Sequence, residues 1–210
     1  MTGKFIALEG IDGSGKSTQL KLAADRLRQL GYDVRETREP TDFPVGRLLR
    51  QILTGEETAD GRTIASLFAA DRVDHLLHRG GVMDMLGEGA VVMCDRYYFS
   101  SYAYHGCDMA MDRVIAANLI SADILRPDVT VFVDIPVEVA LERITRGRDH
   151  VELFETKDRL TRVREKYFEA FEKLADTENV AVISGDAAPE EVTSRIMKVL
   201  MPVVSGGAAK

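Results

Sequence analysis

At 210 residues, 45% hydrophobic and 29% charged, the chain can bury a full core as one domain and is too apolar to remain disordered. A formal net charge of −7 excludes a general nucleic-acid or anionic-membrane surface, so any anionic ligand must be captured by locally placed cations, which points to a small molecule. Cys94 and Cys107 form no C-x-x-C pair and have no histidine cluster beside them, so no zinc or redox centre is legible and reduced thiols are expected. The N-terminus lacks a signal-peptide pattern and no apolar run approaches membrane-spanning length, which predicts a cytoplasmic protein.

Residues 5–9 read as a short buried strand, and Gly10-Ile11-Asp12-Gly13-Ser14-Gly15-Lys16-Ser17 directly after it fits G-x4-G-K-[ST]. Leu20, Ala23, Ala24, Leu27 and Leu30 then recur at helical spacing up to a stop at Gly31. Strand, glycine-rich loop and helix in this order make a phosphate-binding loop. Gly10, Gly13, Ser14 and Gly15 let backbone N–H groups close on phosphate oxygens, and the helix N-terminus at Thr18 adds positive potential. Lys16 reaches the outer phosphates and Ser17 can ligate magnesium.

Further apolar runs suited to buried strands lie at 91–94, 129–135 and 180–183, with a more polar one at 32–36. Helical patterns separate them near 45–53, from about Thr63, near 112–122, from Val137, over 157–175 and from Pro189. This alternation predicts an α/β fold of three layers, α/β/α, around a mainly parallel five-stranded sheet, with ligands beyond the carboxyl ends of the strands. Residues 1–204 read as one domain and 205–210, without apolar anchors, as a flexible tail.

Asp95 closes the 91–94 run, where phosphate-loop proteins keep a carboxylate that helps hold magnesium. A hydrolytic ATPase commonly follows that acid with a water-activating Glu; here Arg96 follows, a cation suited to clamping a transferring phosphoryl group. On the residues alone, another small-molecule kinase of this loop class and a nucleotide-dependent switch both stay open. No Asn-Lys-x-Asp guanine-reading element and no Gln placed to orient water favour the switch.

The chain resembles the thymidylate kinases in its loop with Asp12, in Arg38-Glu39-Pro40, in Phe68-Ala69-Ala70-Asp71-Arg72, in Asp95-Arg96-Tyr97 and in the basic stretch ending at Arg146-Gly147-Arg148. The resemblance implies ATP-dependent, magnesium-assisted phosphorylation of dTMP by a cytoplasmic homodimer with a short lid. It places Asp12 near the deoxyribose 3′-hydroxyl, Phe68 against thymine, Arg72 on its O4, Ser101 near the base edge and Tyr104 near C2′. Arg38, Arg96 and Ser100 complete the expected acceptor site, and Ser17 with Asp95 the metal site. Some relatives carry Asn at the Ser101 position. The phosphate loop has no arginine between its glycines, so the lid must supply one, from Arg143, Arg146 or Arg148, and the last two are the expected catalytic pair. Phe154 and Glu155 resemble the pair that packs over the sugar, and Gly185-Asp186-Ala187 the loop bordering adenine; a helix-capping turn before Pro189 explains the latter equally well.

Overall fold

The computed structural model describes residues 3–147 and 156–206, with the backbone alone at 146–147. In chain order the elements are β1 (Lys4–Glu9), α1 (Lys16–Gln29), β2 (Val34–Arg38), α2 (Pro44–Leu53), α3 (Gly61–Leu77), α4 (Val82–Gly87), β3 (Val91–Asp95), α5 (Tyr98–His105), α6 (Met111–Ile124), β4 (Val129–Asp134), α7 (Val137–Gly147), α8 (Lys157–Lys173), β5 (Val180–Ser184) and α9 (Pro189–Val204). The tail expected at 205–210 falls mostly outside the described residues, as do Arg148, Phe154 and Glu155 of the lid.

The strands form one parallel sheet of order β2-β3-β1-β4-β5. Each strand feeds a helix, and the two-residue period of the pleat sends alternate side chains to opposite faces. Phe5, Ala7, Val92, Cys94 and Phe132 meet α5, α6 and α8 on one face. Ile6, Leu8, Met93, Val131 and Val133 meet α1 and α9 on the other. The near-continuous apolar runs of β1, β3 and β4 follow from this double burial. β1 lies centrally between β3 and β4, so the direction of strand progression reverses there and a crevice opens beyond the carboxyl ends of β1 and β3.

Two helices fall where no helical period is legible. α4 is only 6 residues long, too short to display one. α5 buries Tyr98, Phe99, Ser101, Tyr102, Ala103 and His105, and without a polar face it has no amphipathic alternation to detect. β2 sits later than the 32–36 run because Val34 alone of its residues is buried and its ladder with β3 continues to Arg38 paired with Asp95.

Phe132 is wholly buried and its ring packs against Tyr167, Phe168 and Phe171 at centroid distances of 4.7, 5.7 and 5.2 Å. Phe132→Ala should cost about 3–5 kcal/mol of unfolding free energy, read as a lowered urea midpoint at unchanged slope. A loss below about 1 kcal/mol would mean that this aromatic cluster can collapse around the gap.

Candidate active site

The loop between β1 and α1 is shaped by glycines in conformations other residues resist: Gly13 has φ +77° and Gly15 +85°. A Cβ at Gly13 would also stand 2.4 Å from the Ala140 carbonyl oxygen, so α7 rests on the loop and leaves no room for a side chain there. No arginine can stand at position 13 itself, so a cation on this side of the loop has to come from a neighbouring element. Arg143, one turn on, does so: Nη1 donates to Ser14 O at 3.2 Å and Nη2 to Gly185 O at 3.4 Å. It thereby links the phosphate loop to the loop after β5.

Lys16 is buried at the start of α1, with Nζ 3.8 Å from Asp12 Oδ1. Burial and the nearby Arg96 lower its pKa, opposed by the carboxylates of Asp12 and Asp95. Ser17 Oγ donates to Asp95 Oδ2 in a very short contact. Among the described residues, buried Ser14 Oγ and Asp95 Oδ1 have no hydrogen-bond partner. Buried oxygens without partners are costly, and these two stand beside the loop where a bound group's donors or a cation would meet them. Thr18 follows, exposed in the first turn of α1.

Arg96 has φ +72°, a left-handed conformation that costs a non-glycine residue about 1–3 kcal/mol. Its N–H donates to Leu8 O at 2.9 Å, which holds the turn against β1. Its guanidinium donates to Asp12 Oδ1 at 2.5 Å, Ser100 Oγ at 2.9 Å, Tyr104 Oη at 3.2 Å and Gly10 O at 3.4 Å. Burial opposes its charge, but Tyr104, Asp12 and Asp95 hold the pKa well above the ordinary arginine value. Tyr104 Oη in turn donates to Asp12 Oδ2 at 2.7 Å.

Beyond Arg96 lies a cavity of about 310 Å³ whose walls include the predicted Asp12, Phe68, Arg72, Arg96, Ser100, Ser101 and Tyr104. Arg38 is not on that wall; it is exposed and its guanidinium donates to both Asp42 oxygens at 3.2 Å. Arg50 lines the cavity instead, with Nη2 donating to Pro40 O at 2.7 Å and Asp42 Oδ1 at 2.9 Å. Nothing in the sequence marks Arg50 out from other helix-surface arginines.

Arg72 is almost wholly buried, with Nε and Nη2 on Glu39 Oε2 at 2.8 and 2.6 Å. Nη1 donates to Ser101 Oγ at 3.2 Å and, in a very short contact, to Asn118 Oδ1. Glu39 is shared with His75 Nδ1 at 3.2 Å, whose Nε2 lies 2.6 Å from Thr37 Oγ1. Glu39, His75 and Cys94 come within 4.8 Å of one another, but the Glu39 charge is committed to Arg72 and burial pushes the Cys94 thiol well up. Asp71 accepts from Thr41 N–H at 2.8 Å and Thr41 O–H at 2.6 Å, which fastens α3 to the connection before α2. Of the adjacent pair, Arg72 lines the pocket and Asp71 holds the connection that carries Pro40 and Thr41.

A phosphate-binding loop, a carboxylate at the end of the neighbouring strand, and a second cavity joined to the loop through one arginine define a P-loop nucleotide kinase. The profile of the family described as thymidylate kinase matches residues 8–196. The chain is 38% identical to a probable thymidylate kinase of Pyrococcus horikoshii, over 88% of this chain and 90% of the relative. It is 42% identical to a putative thymidylate kinase of Aeropyrum pernix, covering 86% and 84% of the two chains. Against a thymidylate kinase of Geobacter sulfurreducens it is 37% identical, covering 95% and 97%. The chain belongs to the thymidylate kinase family, a family of phosphotransferase enzymes.

His105 completes the cavity beside Phe68, their ring centroids 5.4 Å apart. Burial, with Arg72 and Arg159 nearby, lowers its pKa to about 4. The unfolded chain, with histidine near 6.5, then binds more protons below neutrality, so stability falls as pH drops from that value toward the folded one. Between pH 7 and 5 this side chain should withdraw about 2 kcal/mol. His105→Gln should remove about that much from the pH dependence of the unfolding free energy obtained from urea titrations, and parallel pH curves for the two proteins would remove His105 as the cause.

Proposed function

We propose that this chain transfers the γ-phosphoryl group of ATP to dTMP, giving dTDP. The observation that carries the reading is the position of Arg96, which touches the phosphate loop at Gly10 O and lines the adjoining cavity. A cation there faces donor and acceptor phosphates together. The acceptor monoester has a second pKa of about 6, so it arrives largely ionised and needs no general base. Charge compensation and in-line positioning are then the main tasks.

In this reading Gly10, Gly13, Ser14, Gly15, Lys16, Ser17 and Thr18 hold the donor phosphates. The unpartnered Asp95 Oδ1 beside Ser17 supports a hard cation held by these oxygen ligands, Mg²⁺. When bound, it would offset charge on the donor phosphates. Phe68 offers its face to thymine, Arg72 the one Nη2 N–H not already given to Glu39, Ser101 or Asn118, and Ser101 the neighbouring edge. Arg96 and Arg50 offer cations to the acceptor phosphate, and Arg38 joins them if it leaves Asp42. Tyr104, on the cavity wall, is read as the side chain that would crowd a ribose 2′-hydroxyl, and Asp12 beside it as the one that takes the sugar. Arg143, reaching the loop from α7, is the described arginine suited to the donor side; Arg146 and Arg148 stay in the reading as lid cations.

We also read residues 1–204 as one cytoplasmic kinase domain that pairs as a homodimer. Exposed Leu119 and Ile120 on α6, with Leu77 at the end of neighbouring α3, support an apolar pairing face. No described helix is long and apolar enough to cross a membrane.

An ATP-coupled assay across dTMP, dUMP, UMP, CMP, AMP and GMP tests the central reading. ADP release should depend on the added monophosphate, with dTMP the best acceptor; monophosphate-independent turnover would make the chain an NTPase. Lys16→Ala should lower kcat by a factor on the order of 10²–10³ with an unchanged circular dichroism spectrum.

Arg72→Ala should raise the KM for dTMP more than that for ATP. It should also cost about 3–5 kcal/mol of stability, because Glu39 would be left buried without its partner. A variant that shifted only the ATP requirement would move the acceptor base elsewhere.

A further inference from the structure

Glu9 ends β1 immediately before the phosphate loop and is wholly buried. Carrying a carboxylate into a core is expensive unless its lone pairs are met, and burial raises its pKa. Here they are met by donors from two other elements. Oε1 accepts from the N–H groups of Tyr97 at 2.7 Å and Ser100 at 3.1 Å. These lie at the first turn of α5, whose N-cap residue Tyr97 supplies no side-chain cap, so Glu9 caps that helix from β1. Oε2 accepts from Ser100 O–H at 2.6 Å and from Tyr167 O–H, on α8, at 2.8 Å.

Ser100 has a single hydroxyl proton, and its oxygen also accepts from Arg96 Nη1 at 2.9 Å. With that proton held on Glu9, only lone pairs face the guanidinium. The other arm of Arg96 rests on Asp12 and on Tyr104, which stands on the same capped helix. Arg96 also has the left-handed backbone noted above, so its direction needs restraint from its neighbours.

We propose that Glu9 is a positioning residue for phosphoryl transfer: through Ser100 it fixes the hydrogen-bond polarity that holds the Arg96 guanidinium between the phosphate loop and the acceptor cavity. The inference rests on the transfer role of Arg96 in the reading above. An amide at position 9 keeps the size of the side chain but turns one acceptor into a donor. One orientation sets N–H against the N–H groups of α5; the other sets N–H against the Ser100 and Tyr167 hydroxyls, so the Ser100 proton must turn to Tyr167 Oη at 2.9 Å or toward Arg96, and the polarity around the guanidinium is no longer fixed.

The test is a double-mutant cycle in the dTMP and ATP assay. Glu9→Gln should lower kcat at least about tenfold, with a smaller change in either KM, and cost nothing further in an Arg96→Ala background. Ser100→Ala, which keeps the Glu9 charge and the backbone caps, should also lose its effect on kcat in that background. It carries the same test if Glu9→Gln does not fold. Additive losses in the Arg96→Ala background, or an unchanged kcat for the single variants, would overturn the inference. An Arg96→Ala enzyme with normal kcat would instead overturn the transfer role of Arg96 itself.

Discussion

The contact between Arg96 and Asp12 joins the two halves of this molecule's chemistry. Asp12 belongs to the loop proposed to close on the donor phosphates, and Arg96 follows the strand whose terminal carboxylate neighbours the same loop. Because β1 and β3 are adjacent and parallel, Leu8 stands opposite Asp95, and the turns beyond them cannot avoid each other. A protein of net charge −7 can bring two anionic substrates together only if cations are fixed locally, at points where water screens them poorly. The ion pair places one such cation at the shared boundary, oriented before any substrate arrives.

Two buried carboxylates extend this arrangement into the core. Glu9 and Glu39 are each 5% exposed or less, and each is surrounded by donors contributed by separate elements. Glu9 gathers α5 and α8 beside the loop, while Glu39 gathers α3 through Arg72 and His75. Such groups add little net stability compared with apolar replacements, but breaking one half is costly. Their value is geometric: a guanidinium fork with its donors occupied has few alternative orientations. The cavity walls are therefore fixed from behind, by residues that need not touch the substrate.

The absence of an arginine from the phosphate loop also has a packing reason. Gly13 lies under the Ala140 carbonyl, and the left-handed backbone there already disfavours any side chain. The space that an arginine would need belongs to α7, and α7 returns Arg143 to the loop from above. Helix packing and charge supply are thus two consequences of one close approach.

The alternation of strands and helices, the phosphate loop and the placement of Asp95 and Arg96 were legible in the sequence. Each depends on local spacing: apolar runs bounded by breakers, glycines at fixed offsets, an acid at a strand end. Phe68, Arg72, Ser101 and Tyr104 came from resemblance, and they do share one cavity wall. What stayed hidden was pairing between distant segments. Glu9 reads as the last residue of a strand, Arg50 as one of several helix-surface arginines, Asn118 as an ordinary helix member, and His105 lies in no predicted element. α5 was invisible because burial on nearly every side erases the polar face that periodicity requires. By itself the sequence determined which chemistry the loop can perform, because that is written in consecutive residues. Only the tertiary structure decided which carboxylates hold the arginines and which arginines face the cavity. Those outcomes depend on desolvation and hydrogen-bond geometry between residues as far apart as Glu9 and Tyr167, a relation no local pattern encodes.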